Sequence, residues 1–239
     1  MADSPAAWYH GLPPVTRAMG TAVVATTVAT QLGLVSPYAL ILDWGLVGRF
    51  QFWRLVTNFL YVGPFSFPFL MKCLMIHNYG VPLEQVTFNF RTADYLFMLL
   101  FGMASFLALS LVSPVPVLVM SSPLIFMLCY IWSRNFPDQP VSIMGFFRVK
   151  GFFLPWAWLV ITVVMGGSPY SDLMGILVGH VYYFLSVLYP LNSGRNLLKT
   201  PGFVHQLVAW ADIGHTPAQP AYRPTYGAFR GWGQRLGNN

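Results

Sequence analysis

Charged residues fall in clusters along the chain, and the apolar stretches between them predict its elements. Residues 18–42 carry no charge between Arg17 and Asp43, and residues 95–133 carry none between Asp94 and Arg134. A helix needs about 20 apolar residues to cross about 30 Å of hydrocarbon, so the second stretch is long enough for two. Its break belongs at Ser113-Pro114-Val115-Pro116, where two prolines remove backbone donors and push the preceding residues out of helical geometry. That short turn predicts a tight hairpin of helices three and four. Residues 151–171 and 173–194 are two further charge-free runs, separated by Asp172 in a Gly-Gly-Ser-Pro-Tyr-Ser-Asp connection that starts at Gly166, and they predict helices five and six. Pro64, Pro68 and Lys72 interrupt the remaining run, which places helix two near Phe67–Val81. Residues 36–66 then form a long loop rich in aromatic residues, suited to the membrane interface.

Composition turns this pattern into a class. Of 239 residues, 56% are hydrophobic and only 8% are charged, where about 25% is usual for a soluble domain. So few charges cannot cover the surface of a water-soluble globule of this length, which disfavours soluble, disordered and fibrous classes. The expectation is a single all-α polytopic membrane domain of six spans over residues 1–194, followed by a tail over residues 195–239. Arg17 precedes helix one, Arg134, Arg148 and Lys150 follow helix four, and the tail from Asn192 holds five Lys/Arg, whereas the connections at Ser113–Pro116 and Gly166–Asp172 hold none. Basic residues favour the cytosolic face, so both termini are expected there; Arg49 and Arg54 in the first loop run against the trend. No cleavable signal peptide is expected, so helix one is retained. Cys73 and Cys129 are too few for a disulfide framework or a metal site, and no cofactor is expected.

Three short motifs stand out. In Gln51-Phe52-Trp53-Arg54-Leu55-Val56-Thr57, the Arg54 guanidinium could hold loop carbonyls through its fork of donors while the Trp53 indole packs at the interface, or the pair could be an ordinary interfacial anchor. Gly175-Ile176-Leu177-Val178-Gly179 is a GxxxG that lets another helix approach closely, and the following His180 needs a polar partner inside a membrane. In the tail, residues 203–210 have apolar residues at helical spacing and could lie along the membrane surface. Beyond them a proline- and glycine-rich tether ends in Phe229-Arg230-Gly231-Trp232-Gly233-Gln234-Arg235-Leu236, which suits an extended peptide pressed on a partner.

Taken together these residues resemble the Derlin family, rhomboid-like proteins of the endoplasmic reticulum. The likeness also runs through Ala93–Phe101 at the start of helix three, Tyr130-Ile131-Trp132, Leu154-Pro155-Trp156, Gly175–Phe184, Gly194-Arg195-Asn196 and Thr200-Pro201. The resemblance implies a rhomboid-like six-helix transmembrane bundle with a disordered cytosolic tail, multi-pass in the endoplasmic reticulum membrane. It implies a non-catalytic component of ER-associated degradation that assists retrotranslocation of misfolded proteins. Its implied partners are Hrd-type ubiquitin ligases, misfolded substrates, the bilayer and the AAA ATPase called valosin-containing protein, in homo- or hetero-oligomers and without nucleic acid. Carried over by similarity, Trp53 and Arg54 are the family's WR motif, Gly175 and Gly179 its GxxxG, and Phe229, Gly231, Gly233 and Leu236 its SHP-box contact with the ATPase.

A rhomboid protease needs a serine in a Gly-x-Ser-Gly setting on helix four and a histidine on helix six, three residues before the GxxxG. Here Ser121 and Ser122 are flanked by Met120 and Pro123, position 172 is aspartate, and His180 lies about 12 Å further along the helix. A serine without a base in reach is inert, so an intramembrane protease is disfavoured. A transporter is disfavoured by the lack of a clear repeat or a carboxylate deep in a span. A purely structural adaptor that links the ATPase to a ligase stands as the other alternative.

Overall fold

Nineteen prolines sit in a mostly helical chain because many of them open helices instead of interrupting them. The computed structural model describes residues 4–213 apart from Met144, Phe146, Asn196 and Asp212. Helix α1 (Pro5–His10), α2 (Pro14–Gln31) and α3 (Pro37–Leu40) begin on proline, and α4 (Trp44–Val47) and α5 (Arg54–Leu60) follow. The stretch 36–66 is therefore a set of short helices joined by turns. Helix α6 (Phe67–Met75) has Pro68 in its first turn and Ser66 as N-cap, whose hydroxyl accepts from the Phe69 amide. It continues through wider π-helical turns at Ile76–Gly80 and Leu83–Thr87, so the second helix runs beyond the expected Val81.

Helix α7 (Thr92–Val112) stops at the first of the two prolines, and α8 (Ser121–Asn135) restarts only after an extended segment through Met120. The two do not form the tight hairpin expected of helices three and four; α8 packs chiefly on α10 (Tyr170–Tyr183), which also touches α7. Helix α9 (Leu154–Val164) is short. Helix α10 starts on Tyr170, not after Asp172, and passes through a π-helical turn into α11 (Tyr189–Ser193). Two segments, Thr92–Val112 and Tyr170–Ser193, are long and apolar enough to cross a membrane. One hairpin departs from the all-α expectation: β1 (Pro140–Ile143) pairs antiparallel with β2 (Phe147–Lys150), with Ile143 opposite Phe147. Gly151 follows because a Cβ there would overlap the Phe136 carbonyl oxygen.

The core is α8, whose residues Pro123–Ser133 are all buried, as a helix apolar on every side requires. Helix α2 has no side-chain cap of its own, and Glu84 supplies one from the far end of the second helix. Its carboxylate accepts from the Val15 amide (2.9 Å), the Thr16 amide (2.7 Å) and the Thr16 hydroxyl (2.7 Å). An anion at a helix N-terminus satisfies orphan donors and meets the positive end of the dipole. Helix α12 (Gly202–Trp210), in the tail, docks Val204 and Val208 on Ala93, Leu96, Phe97 and Leu100 of α7, and the Thr200 hydroxyl donates to Asp94. The first part of the tail is thus packed on the helical body.

Candidate functional site

The short helix α3 ends with carbonyls that no further turn can satisfy. The returning segment supplies their donors from side chains. Phe50 takes φ 68°, a left-handed conformation rare for a phenylalanine, just before the chain turns into α5. From there Arg54 Nη1 donates to the carbonyls of Tyr38 (2.6 Å) and Ile41 (2.8 Å), Trp53 Nε1 to that of Ala39 (3.2 Å), and the Thr57 hydroxyl to that of Leu40 (3.0 Å). All four carbonyls from residue 38 to 41 are held by three side chains. Arg54 Nε donates to Gln51 Oε1 at 2.7 Å. Arg54 is only 5% exposed and Trp53 is 53% exposed, so the pair divides into a buried clamp and a surface indole.

That clamp is continuous with the start of α8. Asn58 Nδ2 donates to the Arg54 carbonyl, the Met120 amide donates to the Asn58 carbonyl (3.2 Å), and the Leu42 amide donates to that of Leu118 (2.8 Å). Ser121 is fully buried and its hydroxyl donates to the Tyr61 carbonyl at 2.7 Å, so it is a structural tie. Beside it a cavity of about 430 Å3 opens, walled by Val62, Gly63 and the extended chain 115–119. Its polar side holds Lys72, Ser122, Ser168, Tyr170 and Ser171. Lys72 Nζ donates to the Ser122 hydroxyl at 2.6 Å, and the Tyr170 hydroxyl lies 2.6 Å from that of Ser113. Asp172 is buried in the first turn of α10, and its Oδ2 has no hydrogen-bond partner among the described residues.

Across the bundle, Gly175 and Gly179 face α8. A Cβ on Gly175 would come within 2.5 Å of both Phe126 Cβ and the Pro123 carbonyl oxygen, and one on Gly179 within 3.0 Å of the Tyr130 ring. The GxxxG therefore brings α10 onto α8, the two helices on which rhomboid proteases carry their dyad. His180 finds its partner in Tyr130, whose hydroxyl is 2.7 Å from Nδ1, and Arg134 lies over the same Tyr130 ring at 4.7 Å. His180 thus pairs with a tyrosine, and among the described residues neither Ser121 nor Ser122 pairs with a histidine. Phe229, Gly231, Gly233 and Leu236 lie outside the described residues.

Residues 12–202 match the Der1-like family. The chain belongs to that family. It is 45% identical to Derlin-1 of Oryza sativa subsp. japonica over 98% of this chain and 99% of that protein. It is 48% identical to Derlin-1 of Arabidopsis thaliana over 89% of this chain and 80% of that protein, and 39% identical to Derlin-2.1 of Zea mays over 92% of each. Family membership makes this a membrane protein of the rhomboid-like pseudoprotease type, and it is not catalytic. Trp53, Arg54, Gly175, Gly179 and His180 are marked by local motifs, whereas Thr57 and Glu84 are not and Lys72 shows only as a break in an apolar run. Thr57 lies one helical turn after Trp53 in the quoted segment, so its spacing was the available signal; the contacts of Lys72 and Glu84 gave none, because their partners are 50 and about 68 residues away.

Proposed function

We propose that this Der1-like chain serves ER-associated degradation by easing the passage of misfolded polypeptides across the endoplasmic reticulum membrane, with the work supplied by a recruited AAA ATPase. It does so as a six-span rhomboid-like bundle with both termini in the cytosol, and α12 lies along the cytosolic surface. The observation that carries this reading is the polar cavity over the start of α8, lined by Lys72 and Ser122 and, among the described residues, by no histidine. A polar segment entering there meets hydroxyls and an ammonium instead of hydrocarbon, where a charged residue costs about 2.5–3.5 kcal/mol on insertion scales. The ATPase is recruited through Phe229, Gly231, Gly233 and Leu236, and the substrates reach the chain from a Hrd-type ligase complex in homo- or hetero-oligomers.

The test uses full-length protein in ER membranes. A photocrosslinker at Val117 or Ser168 on the cavity wall is expected to capture a misfolded substrate. Phe229→Ala and Leu236→Ala are expected to lose the ATPase in a pull-down while keeping that crosslink. Loss of ATPase without any substrate crosslink in the intact chain would favour the purely structural adaptor and overturn the conduit.

A further inference from the structure

A second hollow, of about 390 Å3, lies between α1, the first half of α2 and the end of α6. Along α2 its wall is Arg17, Gly20, Thr21, Val24 and Ala25, which the helical period puts on one face. Gly20, Thr21 and Ala25 are small, so that face is a furrow and not a ridge. Cys73, Ile76 and His77 form the opposite wall, and the lining is almost wholly apolar. The furrow runs from Arg17 to Ala25, eight residues or about 12 Å. One leaflet of a bilayer offers about 15 Å of hydrocarbon depth.

The rim at the Arg17 end has the composition of a membrane interface. Trp8 is 56% exposed, Tyr9 stands beside it, and the Arg17 guanidinium lies 5.7 Å from the centre of the Tyr9 ring. Among the described residues Arg17 makes one side-chain hydrogen bond, a long 3.4 Å contact from Nη1 to the His10 carbonyl, so most of its five donors face outward. The oxygens of nearby Glu84 are committed to Val15 and Thr16. An apolar furrow of leaflet depth with a cation at its interfacial end is complementary to one kind of molecule.

We propose that the furrow is a phospholipid site, in which one acyl chain lies along Gly20–Ala25 and the lipid phosphate sits on Arg17. This goes beyond the conduit reading and does not depend on it. The phosphate is common to all phospholipids, so the site selects the class and not a headgroup.

The experiment reconstitutes the full chain in phosphatidylcholine vesicles containing a trace of phosphatidylcholine with a diazirine in mid-chain, and maps the photo-adducts by peptide mass spectrometry. Adducts are expected to concentrate on residues 20–25 and 73–77 above the level on the exposed α9 residues Val160 and Val163. A Cβ on Gly20 would meet nothing within 4 Å, so Gly20→Leu fills the furrow without disturbing its neighbours and should lower the furrow adducts about tenfold. Ala25→Phe fills the other end and stands in should the first variant misfold. Arg17→Gln should lower the adducts about tenfold, the worth of a charge-assisted hydrogen bond, and Arg17→Lys should retain most of them. A diazirine fatty alcohol, which has no phosphate, and a diazirine fatty acid form the comparison arms. Furrow labelling no higher than on α9, no change with Gly20→Leu or Ala25→Phe, or phospholipid labelling left unchanged by Arg17→Gln would each overturn the proposal, whereas the fatty alcohol is expected to show no dependence on Arg17; Arg17-dependent labelling by the fatty acid alone would reject a phospholipid as its occupant.

Discussion

Arg54→Ala removes a buried cation that has no carboxylate partner among the described residues, and its consequence can be worked from the clamp. The guanidinium donates to two carbonyls and to Gln51, and hydrogen bonds to a charged group are worth about 1.5–3 kcal/mol each. That sum overstates the effect, because the native state also carries the cost of desolvating Arg54, which is several kcal/mol for a buried ion. What the alanine leaves behind is a better guide. Two carbonyls lose their donor, at about 1–3 kcal/mol each if they stay dry. Tyr38 is 78% exposed, so its carbonyl meets water once released, while Leu40 beside Ile41 is buried. One dry carbonyl is left, so the net loss is about 2 kcal/mol, confined to the loop that Arg54 holds.

At that size the opening equilibrium of residues 37–53 rises about thirtyfold. Limited chymotrypsin digestion of the full chain in detergent reads it, since cleavage follows the open population when closing is fast. The expected result is faster cleavage at Tyr38, Trp44, Phe50 and Phe52 with little change after Trp156 or Tyr183. Arg54→Lys keeps the charge but not the planar fork and should fall between the two. Thr57→Val loses one neutral bond, about 1 kcal/mol, and should open the same loop about fivefold. Wild-type cleavage in Arg54→Ala would refute the clamp, and uniform acceleration across the chain would make Arg54 a global and not a local support.

Further outcomes follow from contacts elsewhere. Gly175→Leu drives a side chain into Phe126 and the Pro123 carbonyl, so overpacking by about 3 kcal/mol or more should abolish the monodisperse peak on size exclusion; Gly179→Ala meets the Tyr130 ring and its Cβ at 3.0–3.2 Å, so Tyr130 must shift by a few tenths of an ångström, and it should cost about 1 kcal/mol in thermal unfolding. Glu84→Gln offers one acceptor oxygen where two served three donors, so about 2 kcal/mol of capping is lost and amide exchange at Val15 and Thr16 should rise about thirtyfold; unchanged exchange would remove the capping role. Val208→Asp buries a charge against α7 and should release α12, read as loss of a disulfide crosslink between cysteines placed at Phe97 and Val204 in a variant without the native cysteines.

What the sequence discloses and conceals divides by range. The end of α7 at Val112 was legible because proline acts on its own and the preceding residue. The start of the second helix at Phe67 was legible too, and only its end at Val81 falls short. Pro68 sits in the first turn of α6, where a missing donor costs nothing, and Pro82 lies between two π-helical turns that redistribute the backbone bonds. Asp172 breaks the charge-free pattern without ending a helix: it is buried in the first turn of α10, where an acidic group suits the helix dipole. Trp53, Arg54, Gly175 and Gly179 were visible as local patterns. The acceptors of Arg54, 13 and 16 residues earlier, and the Lys72–Ser122 contact across 50 residues were not, since nothing local marks them.

The shortness of two helices has different consequences because their surroundings differ. Helix α8 has 15 residues, about 22 Å, and is enclosed by protein, so its deficit leaves a cavity over its first turn instead of a mismatch with lipid. The apolar helical segment Gly151–Val164 has 14 residues, about 21 Å, and exposes Trp156, Val160, Val163 and Val164. On the proposed topology those residues face lipid, and about 9 Å of hydrocarbon is left unmatched. Mismatch costs a fraction of a kcal/mol per Å, a few kcal/mol in all, which is enough to thin the bilayer locally and not enough to unfold the bundle. The cavity shortens the path inside the protein and the exposed helix shortens it in the adjoining lipid. On the proposed function, a polar segment that enters beside Lys72 would then cross a barrier lowered on both sides.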